Sequence, residues 1–429
     1  MKKKLLSGIL AMVMAISVVV PISNVQAAAK VYKIGSVWEL NEFSRRVNSG
    51  NSYEGYVVKL TKDIVYDGSV NNFNSIGTTV GNMELIFKGT FDGAGHSVSN
   101  IECMGDGFFS RLGDGTVVKN LVLKNCSFTH PEGIYSRGTG GIVGDTVINN
   151  KVWEKVTIDN CHVVGGSVTA SDYCSVGGIL GYGRADVINC SNSALISGGA
   201  VAGIASYICN GMICNSYNTG DIQALDEDAS GGLVLTGDNV VIKNCYNSGN
   251  ASCGLAGYLE ERSAIGNCYY VFENASKNGI AINYPDVSIV EKDNQAFSAS
   301  EMQSQAFLKL LNKNASTQPT WKSWKYQGTS SYPVLETKKK TQTITTKVSK
   351  KNYKASTLKN KKITFNIKAK AKSRLVYRVT KGKKYLSVSS TGKVCLKKGT
   401  PKETYEVAVI ATGNAKIKKA VKKIVVNVK

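Results

Sequence analysis

The chain has 429 residues, of which 42% are hydrophobic, so it can bury sizeable cores and is not a wholly disordered protein. Lys and Arg outnumber Asp and Glu by 53 to 31, which gives a formal net charge of +22. Such a positive balance argues against a mainly acidic protein surface and favours contact with polyanions. It does not indicate which fold the chain adopts.

The N-terminus predicts a secretory signal peptide over residues 1–27. Lys2, Lys3 and Lys4 form a basic start, residues 5–20 form an apolar stretch, and Ala27 provides a small residue at the cleavage position. A single membrane anchor is the alternative. Because no later run approaches the roughly 20 apolar residues that cross a bilayer, we expect a secreted, extracellular protein without an integral membrane segment after cleavage.

Residues 28–88 predict an N-terminal cap region. Ser36 is a candidate N-cap for a helix with apolar residues at helical spacing as far as Val47, and Gly50 is a candidate stop. Two apolar runs, at residues 56–60 and 63–65, are typical of strands. Since the end of a stacked array must be covered, we assign the helix to capping.

Residues 89–290 contain a repeat. Its first element is an aliphatic residue, any residue, Asn and then Cys or Ser, with the fourth position at Cys126, Cys161, Cys190, Ser216, Cys245 and Cys268. Its second element is Gly-rich and apolar, at residues 140–144, 177–181, 202–205, 231–234 and 253–257. Intervals of 23 to 35 residues between copies are typical of stacked units.

The composition of each unit favours strand coils over helix pairs. Runs of three to six Val, Ile, Leu and Thr are bounded by Gly, Asn, Asp and Ser, and none has helical periodicity over ten residues. The repeat therefore predicts an all-β fold, a right-handed parallel β-helix of about five or six coils, in which every strand pairs with the coil above and below.

The cysteines of the repeat are expected to stack at equivalent positions of successive coils. Eleven cysteines in a secreted chain would ordinarily suggest disulfides. Stacked side chains point the same way, however, so adjacent disulfides would be strained, and we expect a ladder of mostly free, apolar thiols. The Asn before each Cys predicts a second ladder of amides hydrogen-bonded between coils.

The histidines indicate no catalytic or metal site. His96 lies in a Gly-rich turn with Asp92, and no nucleophile signature accompanies it, so a structural role is favoured over that of a catalytic base. His130 and His162 lack metal-ligand spacing with one another or with Cys pairs. We predict no catalytic residue, no cofactor and no metal.

The acidic residues of the repeat are candidates for general acid and base chemistry on a glycosidic bond and for calcium binding. They fall at different phases of the repeat, so we expect them to be solvated rather than convergent. These candidates are Asp145, Asp159, Asp172, Asp186, Asp221, Asp226, Glu227 and Asp228.

Several motifs resemble the GLUG motif of secreted bacterial β-helix proteins. They are GTFDGAGH at residues 89–96, GFF at 107–109, and NSYNTG and NCYNSG at 215–220 and 244–249. The resemblance covers roughly residues 32–335. It implies a β-helix at or outside the cell surface and implies no reaction.

Residues 291–337 predict a C-terminal cap and linker. Ser298 and Glu301 mark a helix start, and an apolar stripe follows. Trp321, Trp324 and Tyr326 could stack on sugar rings, but burial against the last coil is the commoner use of Trp and is our prediction.

Residues 338–429 differ in composition, since they hold 28 of the 53 Lys and Arg residues but only two acids, Glu403 and Glu406. Five alternating apolar runs separated by Gly-containing turns predict a β-sandwich. The stretches LSVSSTGKV at 386–394 and GTPK at 399–402 resemble bacterial Ig-like, cadherin-like modules, which implies a spacer or adhesive role.

Together these features predict a secreted, cell-wall-associated, non-enzymatic binding or adhesion protein. The β-helix would present a face to an extracellular glycan or protein, and the basic module would contact a cell-wall polyanion rather than nucleic acid. The lysines could instead serve only to keep an outward β-face soluble. The alternative function is a carbohydrate-active enzyme, a polysaccharide lyase or glycoside hydrolase, which requires three or more of the acids to share one face with a Lys or Arg.

Overall fold

The computed structural model describes residues 29–133, 136–147, 155–170, 174–226, 230–260, 262–276, 278–282, 290–328, 331–336, 342–412, 418 and 420–429. The predicted signal peptide lies outside these residues. The chain divides into two compact units between Val334 and Leu335, and each unit has its own hydrophobic core. None of the described helices is long and apolar enough to cross a membrane.

The first unit is a parallel β-helix, which confirms the fold class predicted from the repeat. Four parallel sheets, named A to D, run along it within the described residues. Sheet A contains Lys30–Ile34, Tyr56–Leu60, Thr90–Asp92, Val117–Lys119, Val156–Asp159, Ala185–Ile188, Met212–Cys214, Val241–Lys243, Ala264–Gly266 and Val290–Lys292. Sheet B contains Ile64–Val65, Ser97–Ser99, Glu102–Met104, Val122–Thr129, His162–Thr169, Ser191–Asn192, Leu195–Gly198, Tyr217–Asn218, Ile222–Ala224, Tyr246–Asn247, Tyr269–Val271 and Gln295–Phe297.

Sheets C and D complete each coil. Sheet C contains Phe109–Leu112, Val143–Thr146, Leu180–Gly183, Ala205–Cys209, Val234–Asp238, Ala256–Leu259 and Ile280–Ile282. Sheet D contains Gly138–Gly140, Ser175–Gly177, Ala200–Ala202 and Ser230–Gly231. A full coil passes through A, B, D and C in that order before the chain returns to sheet A one level further along.

The stack extends beyond the repeat copies that reveal it. Tyr56–Leu60 and Ile64–Val65 pair with the next strands of sheets A and B, so they form a coil although they lack both repeat elements. At the other end, Val290–Lys292 and Gln295–Phe297 continue the same sheets. The β-helix therefore has more coils than the predicted five or six, because only the middle coils carry the Asn-Cys signature.

The corner between sheets A and B carries the predicted asparagine ladder. Asn160, Asn189, Asn215 and Asn244 all have left-handed backbone, with φ between +50° and +57°, a conformation that Asn tolerates at tight corners. Asn160 donates its amide to the side-chain oxygen of Asn120, Asn215 donates to that of Asn189, and Asn244 donates to that of Asn215, each at 2.8 Å. These amides bond coil to coil, as expected. The ladder is interrupted where Asn189 donates to Asp159 instead of Asn160, and the side-chain oxygen of Asn244 has no partner among the described residues.

The cysteine ladder is confirmed for four positions and wrong for Cys126. Cys126 pairs with Gly166, and the partner of Cys161 in that coil is Leu121, since Val122 pairs with His162. The apparent copy at residues 123–126 arises because Asn125 marks a second left-handed bend, within sheet B. The prediction for Cys126 was wrong because Asn125 precedes this second bend and not the corner between sheets A and B.

The true ladder is hydrogen-bonded as well as packed. The backbone N–H of Cys161 donates to the sulfur of Cys190 at 3.5 Å, and that of Cys190 donates to the hydroxyl of Ser216 at 3.0 Å. The N–H of Ser216 in turn donates to the sulfur of Cys245 at 3.4 Å. All eleven cysteines are free, and ten of them are buried. This agrees with the predicted free thiols, although the ladder is not purely apolar.

A further ladder, not predicted, lies at the end of the short sheet B strands. Asn192 and Asn218 donate to the amide oxygens of Asn218 and Asn247 at 2.8 Å, and all three are buried. They pack against the glycines of the second repeat element. A Cβ added at Gly203 would lie 2.3 Å from the carbonyl oxygen of Gly232, so successive coils approach too closely there for any side chain.

Helix α1, Val37–Val47, covers the N-terminal end of the solenoid. Ser36 accepts a hydrogen bond from the N–H of Glu39, which confirms the predicted N-cap. Leu40, Phe43 and Val47 are buried in the main core. A hairpin of Thr78–Val80 and Met83–Leu85 follows.

The segment predicted to close the last coil runs along the outside of the solenoid instead. Helices α2, Ala299–Met302, and α3, Gln305–Ala315, are followed by Trp324–Lys325, which pairs with Val334–Leu335. Trp324 is 3% exposed and contacts Tyr217 and Tyr246 of sheet B, so it is buried as predicted, but against the side of middle coils. We call residues 304–326 the outer strap.

The outer strap binds the asparagine ladder of the A–B corner. Asn215 donates to the carbonyl of Lys322 at 3.0 Å and accepts from the indole N–H of Trp324 at 2.8 Å. Asn189 accepts from the N–H of Lys322 at 2.9 Å, and Asn244 donates to the carbonyl of Leu311 at 3.3 Å. The ladder thus has partners both between coils and on the strap.

The second unit packs two main sheets around one apolar core, in agreement with the predicted sandwich. The four-stranded sheet contains Lys350–Tyr353, Ala420–Val428, Glu403–Ala411 and Leu375–Lys381 in spatial order, and the first pair is parallel. The three-stranded sheet contains Ile363–Asn366, Lys393–Leu396 and Leu386–Val388. A short pair, Thr345–Thr346 with Ala369–Lys370, and helix α4, Ala355–Leu358, complete the unit.

Candidate ligand-binding site on the β-helix

The acids singled out from the sequence lie on different faces. Asp159 and Asp186 are on sheet A, where Asp159 accepts from the amide of Asn189 at 2.8 Å and Asp186 lies 2.7 Å from the ammonium of Lys155. Asp145 is on sheet C. These acids therefore do not place three carboxylates on one face.

The remaining acids add no convergent group. Asp221 directly precedes the strand Ile222–Ala224 and accepts from the amide of Asn250 at 3.0 Å, and Asp226 is exposed. Asp172, Glu227 and Asp228 lie outside the described residues. Among the residues that are described, no group of three His, Cys, Asp or Glu side chains could hold a metal ion.

The histidines take part in the architecture. His96 Nδ1 lies 3.3 Å from Asp63 Oδ1, while Asp92 accepts from the N–H of Ala94 and the amide of Asn120 and so stabilises its own turn. His162 is buried between Ser191 and Asn160, and burial lowers its pKa to about 3. It is therefore neutral at physiological pH.

An outward row of side chains crosses sheet C and was not recognised from the sequence. Successive coils place its members in direct register, so they form a straight strip parallel to the solenoid axis. The row consists of Arg111, Asp145, Tyr182, Tyr207, Thr236 and Tyr258.

A charged pair lies at one end of this sheet C row. Arg111 is held by the hairpin, because its guanidinium lies 3.2 Å from Glu84 and donates to the hydroxyl of Thr79 at 3.2 Å. Its Nε lies 3.6 Å from Asp145 Oδ2, which is too long for a good hydrogen bond. Arg111 Nε and Asp145 Oδ1 are both buried and have no hydrogen-bond partner among the described residues.

Asp145 is only 7% exposed, and its surroundings favour the neutral form. Burial raises the pKa of its carboxyl to about 6, even though Arg111 and Arg137 oppose the shift. The charge of the Asp106 carboxyl adds a smaller contribution to the rise in the Asp145 pKa. Asp106 Oδ1 lies 2.7 Å from Nδ1 of the buried His130.

Two of the three tyrosines of the row are stacked on each other. The rings of Tyr182 and Tyr207 are 4.4 Å apart and nearly parallel, and the guanidinium of Arg137 lies 5.9 Å from the Tyr182 ring centre. The Tyr182 ring therefore offers a ligand its edge and hydroxyl group, while Thr236 separates Tyr258 from this stack. With the hydroxyl groups of Tyr207, Thr236 and Tyr258, the row can form hydrogen bonds along its length.

The row follows a signal that the sequence does contain. Asp145, Tyr182, Tyr207, Thr236 and Tyr258 each stand two residues after the last apolar residue of a Gly-rich element. Arg111 precedes the first of these elements but follows the GFF motif in the same way, two residues after Phe109, which pairs with Val143.

Comparison with known protein families found no family that matches the chain. No curated protein matches it either. The resemblances to GLUG-motif proteins and to bacterial Ig-like modules therefore stay predictions.

Proposed function

We propose that this is a secreted, surface-associated binding protein whose β-helix presents the sheet C row to an extended polyhydroxyl ligand, a polysaccharide chain. The register of the row carries this proposal, because it lines up a guanidinium, a carboxyl and four hydroxyl groups along one face, and all of these residues except Asp145 are partly exposed. The hydroxyl groups of a polysaccharide both donate and accept hydrogen bonds, so they match such a strip. The stacked tyrosines extend the same strip along the axis.

Binding of the full chain to a panel of neutral and acidic polysaccharides tests this proposal. Asp145→Asn should weaken binding at least tenfold, since it removes the carboxylate charge facing Arg111 and one of its two acceptor oxygens. Asp186→Asn is the matched control, because Asp186 is also a carboxyl with a raised pKa beside a cation, but on sheet A. Equal losses in the two variants, or none, would count against the row.

A second candidate function is cleavage of the bound polysaccharide, suggested by the raised pKa of Asp145 and by a second carboxyl, Asp106, whose charge adds to that rise. A carboxyl with a pKa near 6 can donate a proton to a leaving oxygen, and a second carboxylate can act as base or nucleophile. New reducing ends or unsaturated products that disappear in Asp106→Asn would support catalysis. Tight binding without any product would leave the non-enzymatic function.

We further propose that the C-terminal module holds the protein near a cell-wall polyanion. Its two acids are both in ion pairs, Lys381 with Glu403 at 3.2 Å and Lys423 with Glu406 at 3.0 Å. Most of its 28 basic residues therefore have no acidic partner within the module. We expect retention of the full chain on cell walls to fall as the salt concentration rises. Retention that does not change with salt would contradict the proposed polyanion contact.

A further inference from the structure

The asparagine ladder at the A–B corner is interrupted at Asn160. The side-chain oxygens of Asn120, Asn189 and Asn215 each accept from the asparagine amide of the next coil. The oxygen of Asn160 does not, because the amide of Asn189 donates to Asp159 instead. This rung of the ladder can therefore take a group that comes from outside the repeat.

The group found there is the side-chain amine of Lys322, from the outer strap. Its Nζ contacts Asn160 Oδ1, although the two residues are 162 positions apart in the chain. The Lys322 backbone is held on both sides, since its N–H donates to Asn189 at 2.9 Å and its carbonyl accepts from Asn215 at 3.0 Å. With its backbone fixed at these two corners, the lysine side chain runs back along the ladder to the preceding one.

The contact between amine and amide is shielded from water. Lys322 is 9% exposed and Asn160 is 8% exposed. Burial disfavours the charged form of a lysine side chain and so favours the neutral amine. The neutral amine is the nucleophilic form of lysine. A shielded site also keeps water from competing for the same carbonyl carbon.

A second group acts on the same amide oxygen. His162 Nε2 lies 2.9 Å from Asn160 Oδ1, and its Nδ1 lies 2.8 Å from the Ser191 hydroxyl. Since an amide oxygen only accepts, Nε2 carries the ring proton and Nδ1 accepts from Ser191. Asn160 Nδ2 donates to Asn120 at 2.8 Å, which fixes the orientation of the amide. The imidazole N–H therefore polarises the Asn160 carbonyl and can stabilise negative charge on its oxygen.

We propose that Lys322 and Asn160 form an intramolecular isopeptide bond that joins the outer strap to the β-helix. Lys322 Nζ attacks Asn160 Cγ, the carbon that carries the contacted oxygen. A bond forms between Nζ and Cγ, and the bond between Cγ and Nδ2 breaks. One proton passes from Nζ to Nδ2, which leaves as ammonia. The reaction is an amide exchange, so it needs no oxidant, reductant or added reactant.

The fold supplies what this reaction needs. The amine and the carbonyl are held together by backbone contacts at neighbouring corners, and such fixed proximity replaces a slow bimolecular encounter. The product is a neutral amide, which is less costly to bury than an ammonium group. Its oxygen can still accept from His162. Once the bond has formed, the strap stays attached to the solenoid even when its hydrogen bonds open.

The intact mass of the denatured full chain tests the proposal. We expect a mass that is lower by one ammonia than that of the polypeptide without a cross-link. Trypsin does not cleave after a modified lysine, so digestion should release residues 156–184 joined to residues 314–325. A chain without the mass deficit, in which trypsin cleaves after Lys322, would overturn the proposal.

Lys322→Arg distinguishes the isopeptide bond from a cyclic imide at an asparagine, which also releases ammonia. A guanidinium group keeps the charge of the lysine but stays protonated and is no nucleophile, so this variant should show no mass deficit. Lys325→Arg, in the same strap, is the matched control and should keep the deficit. A deficit that persists in Lys322→Arg would mean that ammonia is lost elsewhere, and the proposal would be wrong.

His162→Phe tests the group that polarises the carbonyl. Removing one such donor should slow bond formation by about 100-fold. Freshly isolated variant, shown to be folded by circular dichroism, should therefore contain chains of both masses, and the cross-linked fraction should rise with time. If this variant is as completely cross-linked as the unaltered chain when it is isolated, the role assigned to His162 is wrong.

Discussion

The two units solve the same problem, the burial of short strands, in different ways. The β-helix buries polar ladders, and Asn192, Asn215, Asn218 and Asn244 are all fully buried with partners on neighbouring coils. The sandwich instead packs alternating apolar residues around one core, and the polar side chains it buries within the described residues are two, Gln342 and Thr400. Stacking repeated coils requires side chains that bond to copies of themselves, whereas two facing sheets require only complementary apolar shapes.

The largest effect should come from breaking an interior ladder. Asn218 bonds to Asn192, Asn247 and both backbone groups of Gly220. Asn218→Ala leaves several buried groups unsatisfied, and at about 1–3 kcal/mol each this should lower the free energy of unfolding by about 3–6 kcal/mol.

The matched change in the sandwich is Asn427→Ala, which removes two bonds on the outer face of the sheet, from Asn427 to Asn352 and from the Thr404 hydroxyl to Asn427. It should cost less than about 0.5 kcal/mol. Urea unfolding followed by hydrogen exchange in each unit measures both variants. Similar losses in the free energy of unfolding for the Asn218 and Asn427 variants would contradict the distinction between the two units.

The second largest effect concerns the outer strap. Trp324→Ala removes a buried indole and the donor to Asn215, so it should destabilise the β-helix by about 3–5 kcal/mol. Trp38 of helix α1 is 73% exposed, and Trp38→Ala should cost less than about 0.5 kcal/mol. Thermal unfolding of the two variants tests whether the strap is part of the cooperative unit, and a small cost at Trp324 would show that it is not.

A smaller effect separates the buried acid of the β-helix from the exposed acids of the sandwich. Because the pKa of Asp145 is about 6 in the fold and 3.8 without it, the folded state holds a proton there that the unfolded state has lost. Stability from this group is therefore present below about pH 4 and is lost as pH rises through about 6, by up to about 3 kcal/mol.

Asp145→Asn should remove that dependence. Urea unfolding of the variant and the unaltered chain at several pH values between 4 and 7.5 measures it. The unaltered chain should lose more stability than the variant across this range. Parallel curves for the two proteins would show that Asp145 does not titrate there.

The smallest effect is expected within the cysteine ladder. Ser216 already occupies one position and both accepts and donates, so Cys190→Ser should cost less than about 1 kcal/mol. Cys190→Ala leaves the N–H of Cys161 without its acceptor and should cost about 1–3 kcal/mol. A serine variant as unstable as the alanine variant would show that the ladder depends on the size of sulfur rather than on hydrogen bonds.

Much of the fold was predictable because the repeat period and the residue types at the corners can be read from short stretches of sequence. The Asn corners, the Gly-rich elements, the N-cap at Ser36 and the capping box of Ser298 and Glu301 all follow from short motifs. The five strand runs of the sandwich follow from simple alternation.

What could not be predicted depends on register between coils and on long-range packing. Cys126 carries the right motif at the wrong corner, and only strand pairing shows this. The route of the outer strap depends on contacts more than 100 residues apart, such as Trp324 with Asn215. The sheet C row was missed because its members differ in type and share only a position.

The outer strap also fixes the number of coils in the part of the β-helix that it covers. Repeated corners allow a solenoid to grow or shrink by whole coils, since each new coil offers the same bonds as the last. Here a non-repeating segment joins particular corners, Asn189, Asn215 and Asn244, through its own backbone. An inserted coil would shift every later corner past its partner on the strap, so the number of coils beneath it is set by a single copy of sequence outside the repeat.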